Sequence, residues 1–429
     1  MAKNTDPRLQ GQVIYSIYVR AHTPEGTFSA IVPDLDRIRA LGTDIIWFMP
    51  IHPIGVKAKK GSLGCPYANR DYRGVNPEYG TMADFRQLCD EIHRRGMKVM
   101  IDVVYNHTSP DSVLWETHPE FFYKRADGTP GNHVGDWSDI IDLDYNVPEL
   151  WDYQIESLTM WAKLVDGFRC DVASLVPLEF WKRAREAVEK IHPGFIWLAE
   201  SVHREFGASL RAEGLACARD TELFEAFDLE YEYDIRTVFD QVLRDEVPLS
   251  QWTDLLEFQE AVYPANYNKM RFLENHDQPR IASFIRDERT LENYTAMLYF
   301  LKGTTLLYAG QEWADDHLPS LFEKEPVNRE TGRDLTALLR TLGRIKKETL
   351  AADDFFFARA ENESKTAVMT RIGSGSKKLG VFCLKGQSAS VRTDFPDGAY
   401  QNLIDGRTIN ILNYTLQTEG APIIIEVER

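Results

Sequence analysis

The chain has 429 residues, 43% of them hydrophobic and 11% aromatic, enough to fill a sizeable core, so disorder is excluded as its main state. A formal net charge of −17 disfavours nucleic acid and anionic membrane surfaces as partners and leaves neutral substrates open. At about 100–200 residues per ordinary domain the length predicts two or three domains, or one large barrel with an appendage.

Eight β-rich runs alternate with amphipathic helical patterns from about residue 12 to 345. The runs are residues 13–20, 44–50, 98–104, 167–172, 195–201, 226–233, 270–277 and 304–310. Between them, Leu35, Ile38 and Leu41 share one helix face and stop at Gly42. Phe85, Leu88 and Ile92 do the same before Gly96, and Leu178, Trp181, Ala184 and Val188 before Pro193. Apolar strands alternating with helices imply parallel strands buried on both faces. Eight such units predict a closed (β/α)8 TIM barrel. A doubly wound open sheet is the alternative, disfavoured because no Gly-rich phosphate turn follows the first run. The connection after the third run, about 106–147, is a long loop-like insertion rich in His, Asp, Gly and Pro. A helix is expected at about 334–349. Beyond it, short alternating runs separated by turn residues predict an antiparallel β-sandwich. The domains are therefore 1–350, the barrel, and 351–429, the all-β module.

Five cysteines, Cys65, Cys89, Cys170, Cys217 and Cys383, are odd in number and lack C-x-x-C spacing, which predicts reduced, mostly buried thiols. Residues Met1 to Pro7 hold no apolar leader segment, and no apolar run reaches the about 20 residues of a membrane span, so a cytoplasmic location is expected.

Function in such barrels sits at the C-terminal strand ends. Asp102, Asp171, Glu200 and Asp277 all follow apolar runs there. Arg169 precedes Asp171 by two residues and shares its face, and His107 and His276 fall just past run ends. Converging acids without a metal-ligand pattern suit a reaction through a cation, such as glycoside cleavage. The bland alternatives are real: a strand-end Asp can cap or pair, the reading favoured for Asp102, and a lone His can be a core imidazole.

The segments DVVYNH (102–107), GFRCDVAS (167–174), WLAES (197–201) and FLENHD (272–277) resemble, in order and spacing, the four signature regions of the α-amylase family, glycoside hydrolase family thirteen. Residues 14–28, the segment around Tyr67 and Asp71, 139–150 and 306–313 extend the likeness over about 12–350. The resemblance implies a retaining double displacement on α-glucosidic, mainly α-1,4, bonds. It makes Asp171 the nucleophile, Glu200 the acid and base, and Asp277 the stabiliser of the transition state. It gives substrate contacts to Tyr67, His107, Arg169, His276, Arg280 and Asp71, with Arg169 holding Asp171 ionised.

Two departures from the family pattern matter. Ser174 and Leu175 stand where calcium-dependent members carry Lys-His. Although Asn106 matches a calcium-ligand position, no metal and no cofactor are therefore expected. The short insertion favours malto-oligosaccharides over granular starch. A transglycosylase or isomerising enzyme of the same family is the nearest rival. A non-catalytic binding or chaperone relative is disfavoured by the intact acids, and a metal-dependent hydrolase by scattered histidines. The oligomeric state is not legible.

Overall fold

The computed structural model describes residues 5–134, 137–352 and 354–428. Residues 1–4, on which part of the reading of the N-terminal stretch falls, and 135–136 of the insertion lie outside the described residues.

Eight parallel strands close into a barrel: β1 (Val13–Ile17), β2 (Ile45–Phe48), β3 (Lys98–Val103), β4 (Gly167–Cys170), β5 (Ile196–Ala199), β6 (Leu229–Tyr231), β7 (Lys269–Arg271) and β8 (Thr304–Tyr308). Each pairs with its sequence neighbours, and β8 closes on β1 through Val13 opposite Thr305. The open-sheet alternative is thereby excluded. Every strand but the first residue of β3 is buried throughout, because helices cover the outside and side chains fill the inside. Ile14, Ile45, Trp47, Met100, Leu198, Leu229, Tyr231, Met270 and Leu306 form that inner core. The helices follow the predicted faces. Met82–Arg94 buries Phe85, Leu88, Cys89 and Ile92 and starts at a Thr81–Asp84 capping box. Leu178–Glu189 buries Phe180, Trp181, Ala184 and Val188.

Every strand is shorter than its apolar run, and in two the chain leaves the sheet for a defined structure. After Ile17 the chain turns into a short helix, Val19–His22. After Arg271 the run to Asp277 is buried loop, turned by the Asn275 side chain accepting the Asp277 N–H at 2.9 Å. The insertion holds a small antiparallel ribbon, His107–Thr108 against Ile141–Asp142, and a short helix, Val113–Thr117.

After the helix Thr336–Glu348 come two four-stranded antiparallel sheets. One has Phe355–Glu361, Thr366–Ile372, Ser376–Cys383 and Ile423–Glu428; the other has Ser390–Arg392, Thr415–Gln417, Thr408–Leu412 and Gly398–Gln401. Val368, Val381, Val391, Phe395, Ile411, Leu416 and Ile425 pack between them. The module docks on the barrel helix Leu249–Val262, whose Glu257 accepts the Ala358 N–H at 3.1 Å. All five cysteines are free, and all but Cys65 are buried. Among the described residues no helix is long and apolar enough to cross a membrane.

Candidate active site

At the C-terminal end of the barrel a cavity of about 370 Å³ is lined by Tyr67, His107, Asp171, Glu200 and Asp277. A larger groove, about 820 Å³, lies between Glu257 and the C-terminal sheets, away from the strand ends.

Register builds the cluster. Asp102 on β3 pairs with Arg169 on β4, and the Asp171 N–H continues the ladder to the Val103 carbonyl at 3.0 Å. Glu200 does the same from β5, donating its N–H to Cys170 O at 3.0 Å. Alternation then aims Arg169 and Asp171 to the same side. Arg169, wholly buried, serves three carboxylates at once. Its Nη1 donates to Asp171 Oδ1 at 2.7 Å and to Asp102 Oδ1 at 2.9 Å, and its Nη2 stands 2.9 Å from Glu200 Oε2. Trp47, Tyr67 and Tyr231 surround the guanidinium, each ring centroid 5.5 Å away.

Val172, directly after Asp171, adopts a left-handed backbone at φ 35°, unusual for a β-branched residue. Its N–H donates to Glu200 Oε2 at 2.7 Å, so the strained turn fixes Glu200 relative to Asp171.

One guanidinium cannot neutralise three acids. Burial pushes the Asp171 pKa up, Arg169 pulls it down and Asp102 pushes it up again, leaving it at about 6. Burial raises Glu200 against the pull of Arg169, and the charges of Asp171 and Asp277 add to the rise, to about 7. Arg169 therefore lowers both and favours the ionised form of Asp171, while burial keeps Asp171 above the ordinary carboxylate range. Asp277 differs. Desolvation raises it, but the adjacent His276, 3.0 Å from Oδ2, overcomes this and holds it below its usual value. Its side chain is 41% exposed, against 8% and 11% for Asp171 and Glu200, so it stands at the open side of the cavity.

The flanking residues divide. Tyr67 lines the cavity, stacks on His276 with centroids 5.4 Å apart, and donates from its hydroxyl to Asp102 at 3.1 Å. His107 lies 4.0 Å from Asp171 Oδ2 and is kept neutral by burial; its Nδ1 meets the Asn106 side chain at 3.1 Å. Asp102 has the structural pairing favoured from sequence. Arg280 does not reach the cavity. It is buried, bonding Glu274 Oε1 at 2.7 Å and Ala309 O at 2.8 Å, because Gly310 (φ 105°) leaves no Cβ to displace it. Asp71 instead turns its own loop, accepting the Arg73 N–H at 2.9 Å.

Sequence reasoning missed Lys60, Cys65, Trp137, Asp139, His203, Phe206, Tyr233 and Phe322, all of which line the cavity. Phe206 and Tyr233 lie in the first turns of the helices Arg204–Ala212 and Tyr233–Leu243, and the others sit on loops, where no periodicity marks them. His203 stacks on Tyr233 with ring centroids 4.3 Å apart.

The model of the α-amylase catalytic domain matches residues 3–126 and 133–353, and that of the bacterial α-amylase C-terminal domain matches 357–425. The chain belongs to the α-amylase family. Among solved structures it is similar to an α-amylase from Lactobacillus plantarum, 44% identical, covering 98% of this chain and 100% of that one at a TM-score of 0.95. A noncanonic maltogenic α-amylase, AmyB of Thermotoga neapolitana, is 30% identical over 98% of this chain and 100% of its own, at 0.87. Among curated proteins, α-amylase MalA of Haloarcula japonica is 27% identical over 318 residues, 71% of this chain. This chain spans 44% of the length of that relative.

Asn106, which matches a calcium-ligand position of the family, lines a pocket at the insertion together with Asp142. Asp142 Oδ2 is taken by the His133 N–H and ring, both at 2.7 Å, and Asn106 holds His107. Among the described residues no three His, Cys, Asp or Glu side chains converge to hold a metal. The second Asp142 oxygen, Oδ1, is buried and has no hydrogen-bond partner among the described residues.

Proposed function

We propose that this α-amylase-family enzyme cleaves α-glucosidic, mainly α-1,4, bonds of malto-oligosaccharides by a retaining double displacement. The observation that carries it is the single Arg169 guanidinium touching both Asp171 and Glu200. Two carboxyls within the span of one guanidinium suit the about 5–5.5 Å separation of a retaining pair, not the wider gap that admits a water. Asp171 attacks the anomeric carbon. Glu200, the acid with the higher pKa, protonates the leaving oxygen and then deprotonates the incoming water. Asp277, kept ionised by His276, faces the positive charge that develops on the sugar. His107 lines the cavity and orients the sugar, Arg169 and His276 hold the acids from behind it, and Tyr67 supplies the ring on which the sugar stacks. No metal takes part. The reduced thiols favour a cytoplasmic enzyme, and the short insertion favours soluble oligosaccharides.

Proton NMR of the first product anomer from maltotetraose is the test, with Asp171→Asn as the inactive control. The α-anomer is expected first; the β-anomer overturns the mechanism. Products longer than the substrate at high oligosaccharide concentration would mark the transferase alternative.

A further inference from the structure

The cavity has two unlike sides. Glu200, Val202, His203 and Phe206 follow β5, and Tyr233 follows β6. In a ring of eight strands these stand opposite β1 and β2. If Glu200 protonates the leaving oxygen, as proposed above, the leaving glucan extends over β5 and β6. The sugar bound to Asp171, and anything beyond it, then points toward the loops after β8, β2 and β3.

Those three loops are joined. The Leu63 N–H donates to Phe322 O at 3.0 Å, and the Ser62 N–H to Glu323 at 2.8 Å, reinforced by the Ser62 hydroxyl. Arg20, wholly buried, donates to Gly64 O at 3.1 Å and to Leu321 O at 3.0 Å, tying the same two loops from below. Gly61 (φ 64°) lets the backbone rest on Phe322, since a Cβ there would lie 2.4 Å from the Phe322 Cβ. From this wall Lys60 reaches the insertion, its Nζ 3.0 Å from Asp139 Oδ1, with the Asp139 side chain only 5% exposed.

We infer that the Lys60–Asp139 pair, on the joined loops, is the end wall of the site and makes the enzyme act from the non-reducing ends of α-glucans. This rests on the proposed reaction and its orientation. An internal glucose would need its next glycosidic bond to pass through the wall. A terminal glucose presents free hydroxyls, which the ammonium can donate to and the carboxylate accept from.

The test compares p-nitrophenyl α-maltoheptaoside with the same substrate capped by a 4,6-O-ethylidene group at its non-reducing end. Wild type should cleave the capped compound at least about 100-fold more slowly, as expected when a site built around hydroxyls meets a substrate lacking them. In Lys60→Ala and Asp139→Ala that discrimination should fall at least tenfold, and Lys60→Arg should retain it. Similar wild-type rates on both compounds overturn the inference, and so does unchanged discrimination in folded variants. Failure to cleave either compound overturns the reading of the reaction instead. The wild-type comparison stands even if a variant does not fold.

Discussion

Arg169 Nη2 lies 2.9 Å from Glu200 Oε2, while the same guanidinium binds Asp171 and Asp102 through Nη1. The proton of the acid and the charge of the nucleophile are therefore set by one cation shared three ways. Activity needs Asp171 ionised and Glu200 protonated. The first is lost as pH falls below about 6 and the second as pH rises above about 7, so kcat/KM should trace a narrow bell between them. Both limbs belong to the coupled group rather than to single residues. Asp102→Asn removes a negative charge that raises Asp171, so its acidic limb should move to lower pH, with kcat reduced because Tyr67 and Arg169 lose an acceptor. An acidic limb that stays in place would separate Asp102 from the nucleophile. The same shifts fix the sign for stability. These carboxyls rise from 3.8 and 4.5 in the unfolded chain to about 6 and 7, so their contribution is full below about 4 and is lost as pH rises toward 7.

Glu200 can be isolated by the leaving group. A general acid contributes about 10²–10⁴-fold where the departing oxygen needs a proton. Glu200→Gln should lose that much kcat/KM on maltotriose but far less on a dinitrophenyl α-glucoside, whose leaving group departs as an anion; kcat/KM reports the glycosylation step alone, before Glu200 is needed as base. Equal losses on both substrates would place Glu200 outside the acid role.

Much of this was legible in the sequence because strands and acids obey short-range rules. The eight apolar runs became the eight barrel strands, and two-residue alternation put Arg169 and Asp171 on one side. Arg280 and Asp71 show where such reading stops. Each lies near a signature segment, but their side chains turn away to Glu274 and to the Arg73 N–H, partners set by loop geometry. The Lys60–Asp139 pair joins loops 79 residues apart in sequence and leaves no pattern in either.

Calcium removal gives a direct check on the donors near the insertion. With Asp142 Oδ2 held by His133 and Asn106 by His107, dialysis against EDTA should leave the turnover of maltotriose and the Tm unchanged. A fall in either that added calcium restores would assign a site to this region.

Lys346 tests how the barrel closes under the C-terminal module. On the helix Thr336–Glu348, it is 1% exposed and donates to Gly303 O at 2.8 Å, Tyr299 O at 3.2 Å and Leu301 O at 3.4 Å. These carbonyls end the helix Glu288–Phe300 and lead into β8, and no carboxylate faces the ammonium among its hydrogen-bond partners. Burial, with the charges of Arg371 and Arg271, holds its pKa well below the ordinary lysine value. Lys346→Met keeps the stem but leaves the carbonyls unpaired, at about 1–3 kcal/mol for a buried unsatisfied group, so the variant should melt several degrees lower. The depressed pKa means that the unfolded chain binds the proton more tightly than the folded one. Wild type should therefore gain stability relative to the variant as pH rises toward 10.5. A variant that melts at or above wild type would show that burying the ammonium costs more than its three carbonyl contacts return.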